Sequence, residues 1–267
     1  MFNKPFHRLY RPVHSKITNS GYSSWKYATH VKYAKSAQYY VQSYLYIQKE
    51  LENIFEYIDH SDICEKAYSF KTHSLFIRTC IEVEANFRAI FKENIPPTEN
   101  EEDWNIDIFR LINQSHRLSQ YEVSFPQWKS KKIKIFSPFK KWEGKNSAQD
   151  QYKYKLDWYQ SYNNSKHDRH NKFNEANLKN LMNAITALLI LITSQFKDNT
   201  FSAGLPSLAL EGNPYYSVRD YGQSATGDLF CIKYPDWPDN EMYSFNWSDI
   251  ENDENPFLKF DYSQLTT

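Results

Sequence analysis

Apolar residues recur at threes and fours over long stretches of this chain, the period that turns one face of an α-helix towards a core. From about Ser36 to Ile58 the stripe is Val41, Tyr44, Leu45, Leu51, Ile54, Phe55 and Ile58, with Gln48, Lys49, Glu50 and Glu52 mostly opposite. From about Phe70 to Lys92 it is Phe76, Ile77, Cys80, Val83, Phe87, Ile90 and Phe91, and Pro96 and Pro97 then end the helix. The most hydrophobic helix carries Leu178, Leu181, Ile185, Leu188, Leu189 and Ile192. Asn174 is its expected N-cap, with Glu175 placed at the positive end of the dipole. A further helix resumes near Gln151, with Tyr154, Leu156 and Trp158, and Trp104–Gln114 reads as a short one.

Elsewhere the pattern changes. Residues 1–35 form an arm without clear periodicity. Tyr121–Lys145 contains YEVSF, KKIKIF and SPFKKW, which read as short strands or a hairpin. Residues 197–267 hold strand-like pieces, DLFCIKY, EMYSFNW and FLKFDY, separated by turn residues. The fold expected is mainly α: an up-and-down four-helix bundle over 36–196, with a small β insertion at about 121–145 and a partly β extension over 197–267.

Charge does not decide the partner. The 267-residue chain carries 32 basic and 32 acidic side chains, so any contact with nucleic acid must come from a local patch. One such patch is Lys129–Lys145, where seven lysines face a single acidic residue and alternate with Phe136, Phe139 and Trp142. Lysines for the backbone and rings for the bases are the combination that binds single strands, and Lys131, Lys132, Lys134, Lys140 and Lys141 are the candidates for RNA. The segment 234–254 has seven acidic residues and no basic one, as a shield for a basic surface or a solvated tail. Three distant cysteines, Cys64, Cys80 and Cys231, suggest reduced thiols and a cytoplasmic protein, with Cys80 a small buried filler. Met1–Ser20 has no apolar core of a signal peptide, and Ala184–Ile192 falls short of the roughly 20 residues of a membrane span, so no membrane association is expected.

The densest polar cluster precedes the hydrophobic helix: Asn163, Asn164, Lys166, His167, Asp168, Arg169 and His170. Glu84 lies on an otherwise apolar stripe, and a buried carboxylate requires a partner or a proton. Lys166, His167 or Arg169 is the expected partner, and a polar network closing the bundle around Glu84 is the structural alternative to chemistry there. His167, Asp168 and His170 without distant partners are a weak metal pattern, so neither a metal nor a cofactor is assigned. Arg8 and His14 fit the pattern R-x5-H, but Pro12 interrupts any helix between them.

The stretch YNNSKHDRHNKFNEANLKNLMNAITALL resembles the corresponding part of HEPN-like proteins, small all-α bundles of prokaryotic toxin–antitoxin and phage-defence systems. SLFIRTCIEVEANFRAI is similar to the acidic second helix of some of those groups. The likeness covers roughly residues 36–196, with the lysine-rich segment as an insertion. Active members share an Arg, a polar residue after it and a His four to six positions beyond the Arg. The resemblance implies metal-independent RNA cleavage at a site made by two such motifs, usually across a homodimer. Asn163 matches the polar residue and His167 the His, while the Arg position falls on Tyr162. In that reading His167 moves protons, Lys166 and Arg169 steady the phosphate, and Glu84 supports them. The competing class is a non-catalytic module that dimerises or docks to a toxin, nucleic acid, antitoxin or defence partner.

Overall fold

The computed structural model describes residues 1–16, 20–95, 101–144, 154–201 and 222–262. In chain order its helices are α1 (Ser20–Lys26), α2 (Ala37–Phe55), α3 (Phe70–Asn94), α4 (Ile106–Phe109), α5 (Ile112–His116), α6 (Asp157–His167), α7 (Arg169–Lys172) and α8 (Leu178–Phe196), with a further turn of helix at Trp247–Ile250. The strands are β1 (Glu122–Ser124), β2 (Ile135–Phe136), β3 (Gln223–Ser224) and β4 (Cys231–Lys233). The protein is thus mainly helical with one small antiparallel sheet. Among the described residues, no helix is long and apolar enough to cross a membrane.

Helix α8 is the centre. Its apolar residues run all the way round, and only Lys179, Asn180 and Asn183 escape burial, the mark of a helix covered on every side. α3 lies parallel to it: Leu178 N donates to Ala67 O near one end, and Gln195 Nε2 donates to Asn86 Oδ1 at 3.0 Å near the other. α2 runs antiparallel to α3, since the early Arg78 of α3 meets Glu50 and Lys71 reaches Tyr57 beyond the end of α2. α6 is antiparallel too, with Tyr159 against Glu84 and Tyr162 against Phe76. Along the chain α2, α3, α6 and α8 thus alternate in direction.

Three boundaries differ from the sequence reading, the first being α6, which starts at Asp157, so that Tyr154 and Leu156 precede it. α8 is capped by Asn177, whose side chain accepts from Asn180 N at 3.1 Å, whereas Asn174 lies in a 3-10 turn over Phe173–Glu175. The cause is a main-chain contact: Asn177 bridges Tyr68, and Ala67 O and Glu65 O take the first N–H groups of α8, leaving fewer of a helix's orphan donors to be capped. Trp104–Gln114 also divides into α4 and α5. Pro96, Pro97, Lys145 and Gln151 lie outside the described residues.

The insertion and the extension expected as separate pieces form one sheet. Its order is β2-β1-β4-β3, with Val123 opposite both Phe136 and Ile232. KKIKIF and DLFCIKY therefore contribute β2 and β4, whereas KKW of SPFKKW is a 3-10 turn. The β3–β4 turn is fastened to α2 through Gly227, which has φ +86; its carbonyl accepts from Gln48 Nε2, and an added Cβ would stand 2.3 Å from Gln48 Oε1. EMYSFNW and FLKFDY instead pair residue by residue with the N-terminal arm, at Phe2↔Tyr243, Val13↔Tyr243 and Phe6↔Leu258. Phe6, Leu9, Tyr10 and Val13 are buried in the same core as the bundle. The acidic 234–254 segment meets the rest of the chain through Arg117–Glu241, Lys4–Asp253 and His14–Asp239, so it is not a free tail, and among the described residues it forms no ion pair with the lysine segment.

Candidate functional site

α6 divides its residues by period. Trp158, Tyr159, Tyr162 and Ser165 are buried on one face, while Lys166 and His167 reach solvent at its last turn. Tyr162, at the position where the resembled motif has Arg, is 1% exposed and packs edge-on against Phe76 and Tyr159. A guanidinium placed there would have to be desolvated among rings, whereas a phenol buries its ring and keeps a polar tip.

Glu84 has a partner, though none of the expected ones. Its Oε1 accepts from the Tyr159 hydroxyl at 2.7 Å, and the Tyr162 hydroxyl lies within its reach. Burial first, then the neighbouring Glu84, raises the Tyr159 phenol well above its ordinary range, and the same causes act on Tyr162. Both rings stay protonated and available as donors. No ion pair joins Glu84 to Lys166, His167 or Arg169 among the described residues.

The polar cluster is brought together in part. Asn163 and His167 sit one turn apart on α6, Asn163 half-buried and His167 exposed, with Lys166 beside them donating to the Tyr162 hydroxyl at 3.4 Å. Asp168 ends α6 with a non-helical backbone (φ −129°, ψ 58°), and its carboxylate caps α7 by accepting from Asn171 N and Asn171 Nδ2. Arg169 therefore leaves the α6 axis, and its guanidinium lies over the rings of Phe70 and Phe173. Glu175 receives Asn164 Nδ2 at 2.9 Å and Lys172 Nζ at 3.0 Å. Burial pushes its carboxyl up, but these donors outweigh it and hold the group below the usual carboxylate range. Among the described residues no three His, Cys, Asp or Glu side chains are grouped to hold a metal ion, so His167, Asp168 and His170 do not converge.

The lysine-rich segment is largely matched by acids, all but Glu143 from elsewhere in the chain. Lys134 pairs with Asp62 and Glu65, Lys129 with Asp59, Lys140 with Glu143 and Lys141 with Asp157. Lys131 and Lys132 are exposed and form no ion pair among the described residues. Phe136, Phe139 and Trp142 face the core rather than a groove. A basic stacking surface at this segment is therefore not assembled, because its rings are buried and most of its charges are neutralised.

Arg8 and His14 are structural. Arg8 is fully buried, donating to Glu93 Oε1 at 2.6 Å, Gln195 Oε1 at 2.9 Å and Lys35 O at 2.5 Å, while His14 faces Asp239. Sequence reasoning missed the aromatic group that receives Arg169: Tyr68, Phe70, His73 and Phe173. Its only linear signal was a pair of short aromatic-and-basic stretches, AYSFKTH and RHNKF, lying far apart in the chain. Comparison of the chain with family models, curated proteins and solved structures returned no match.

Proposed function

We propose that this protein is a HEPN-like endoribonuclease that cuts RNA without a metal ion at its 162–170 segment. The observation that carries the reading is the exposed end of α6, where His167 stands one turn from Asn163, beside Lys166 and just before Arg169. His167 has no hydrogen-bond partner among the described residues, so a substrate oxygen can approach it. An imidazole takes up and returns protons near neutral pH. In the proposed step it removes the 2′-OH proton and the 2′-oxygen attacks the adjacent phosphorus. The 5′-oxygen leaves with a proton, giving a 2′,3′-cyclic phosphate and a 5′-hydroxyl. Lys166 and Arg169 offset charge on the phosphorane, and Asn163 orients the imidazole or a phosphate oxygen.

One chain offers one imidazole a turn away from Asn163, that of His167, whereas the step uses a proton acceptor and a donor. A homodimer with two 162–170 segments facing each other supplies both. The non-catalytic reading, a module that binds RNA, an antitoxin or a defence partner, is favoured by one observation: the position of the motif Arg is a buried tyrosine. The test is purified protein with total RNA and tRNA, with and without EDTA, beside His167→Ala. Cleavage that persists in EDTA, leaves cyclic phosphate ends, is lost in His167→Ala and is only weakened in His170→Ala is the expected result. Identical RNA profiles from wild type and His167→Ala would refute the nuclease and leave the binding module.

A further inference from the structure

Where the chain turns into α3 it places rings in water. Phe70, the first residue of the helix, is 70% exposed, and Tyr68 just before it is 53% exposed. Both lean on Phe173, which follows α7, with ring centroids at 4.9 Å for Phe70 and 5.9 Å for Tyr68. His73 stacks on the same ring at 5.0 Å and 28°. Ser69 caps α3 with its side chain and Asp168 caps α7 with its own, so both helix starts that carry these rings are fixed.

Isolated exposed rings need no explanation, but here four aromatic side chains form one group with a cation lying across it. Arg169 Cζ is 5.5 Å from the Phe70 ring centre and 5.8 Å from that of Phe173, and Arg169 as a whole is exposed. Lys71 and Lys166 are exposed on the two flanking helices. Among the described residues no ion pair joins an acid to Lys71, Lys166 or Arg169, and Asp168 bonds to Asn171, Glu175 to Asn164 and Lys172, and Glu65 to Lys134. Flat apolar faces in reach of unneutralised cations fit a ligand that is itself flat and apolar in one part and anionic in the next.

We infer that Tyr68, Phe70 and Phe173, with Arg169 laid across them, form a base-stacking platform that holds unpaired nucleotides of a single-stranded RNA beside His167. This rests on the RNA reading of the same bundle end and adds what that reading leaves open: the substrate is unpaired at the nucleotides next to the cut. Each base offers a π-face to a protein ring, and Arg169 adds a charged contact to a phosphate. A duplex keeps its bases stacked on one another and cannot use the platform.

The test is fluorescence anisotropy of the full-length protein with a labelled mixed-sequence 12-mer of 2′-O-methyl RNA, single-stranded or annealed to its complement. Such RNA lacks the nucleophilic hydroxyl and stays intact. The expected result is tighter binding of the single strand, weakened about 5-fold or more by Phe70→Ala and further by Phe70→Ala with Tyr68→Ala, as loss of one stacked base implies. Phe70→Trp should restore it, and duplex binding should not change. Wild-type binding of the single strand that neither alanine variant alters would overturn the platform while leaving the RNA reading in place. No RNA binding by the wild type would overturn both. If light scattering shows Phe70→Ala with Tyr68→Ala changing the oligomeric mass but not RNA affinity, the patch is a self-association face and the inference fails.

Discussion

Replacing Arg8 tests whether the N-terminal arm is built into the bundle. The guanidinium is 0% exposed, bonds to Glu93, Gln195 and Lys35 O, and lies 4.6 Å from the Tyr40 ring centre. Arg8→Met keeps most of the apolar stem and removes every donor. Breaking a buried pair from one side costs about 3–5 kcal/mol, most of it from the stranded partner. Here Glu93 keeps a hydrogen bond from Lys35 N at 3.0 Å, and its side chain is 19% exposed. The lower end, about 3 kcal/mol, is therefore expected. At this chain length that corresponds to a fall in Tm of roughly 6–12 °C. Thermal melts followed by circular dichroism measure it, with Arg8→Met combined with Glu93→Gln as the control. The double variant should recover part of the loss, because a neutral amide no longer needs a cation. A shift below about 2 °C, or strictly additive losses, would refute the account of Arg8 as the clasp of the arm.

Two further predictions concern stability. Asn177→Ala should cost about 1 kcal/mol in urea unfolding through loss of the α8 cap, while Asn174→Ala should stay within about 0.5 kcal/mol; reversed values would return the cap to Asn174. The protein should weaken as pH falls below about 6.5. Burial holds the His116 imidazole down at about 3, with Nε2 donating to Arg8 O and Nδ1 accepting from Ser115 Oγ, so below its ordinary 6.5 only the unfolded chain takes up this proton. At pH 5 that amounts to about 2 kcal/mol from His116. Burial also lowers His7, His30 and His73, which adds in the same sense. Urea midpoints at pH 7 and pH 5 measure the slope, and His116→Gln should flatten it; an unchanged slope would show that His116 is not the buried neutral base.

What could be read from the chain was local. The stripes of α2, α3 and α8 were legible because a helix repeats its buried face every three to four residues and needs no distant partner to show it. The arm escaped because Phe6, Leu9, Tyr10 and Val13 lie in extended chain, pinned by single bridges to residues more than two hundred positions away. The strands of YEVSF, KKIKIF and DLFCIKY were legible, but their joining into one sheet was not, because β4 enters beside β1 from the far end of the chain. The lysine segment looked like a free basic patch because Asp59, Asp62, Glu65 and Asp157, which neutralise it, belong to other stretches.

Glu84 shows how far sequence reasoning about a site can go. Its place on an apolar stripe correctly demanded a donor, but the choice among donors is a matter of solvation energy that spacing does not contain. Glu84 is half-buried, and a cation brought to it beside Tyr159 and Tyr162 would give up part of its hydration, which the ion pair would offset only in part. A tyrosine hydroxyl meets the same need while burying a ring. Settling the carboxylate with Tyr159 leaves Lys166, His167 and Arg169 at the surface of the bundle end. The residue that departs from the resembled motif, Tyr162, belongs to this same packed group. A buried tyrosine at position 162 and an exposed basic cluster beside it are then two consequences of one packing solution. In the proposed nuclease the phosphate contact would come from Lys166 and Arg169, outside the packed face of α6, which is what the His167→Ala and Phe70→Ala experiments address.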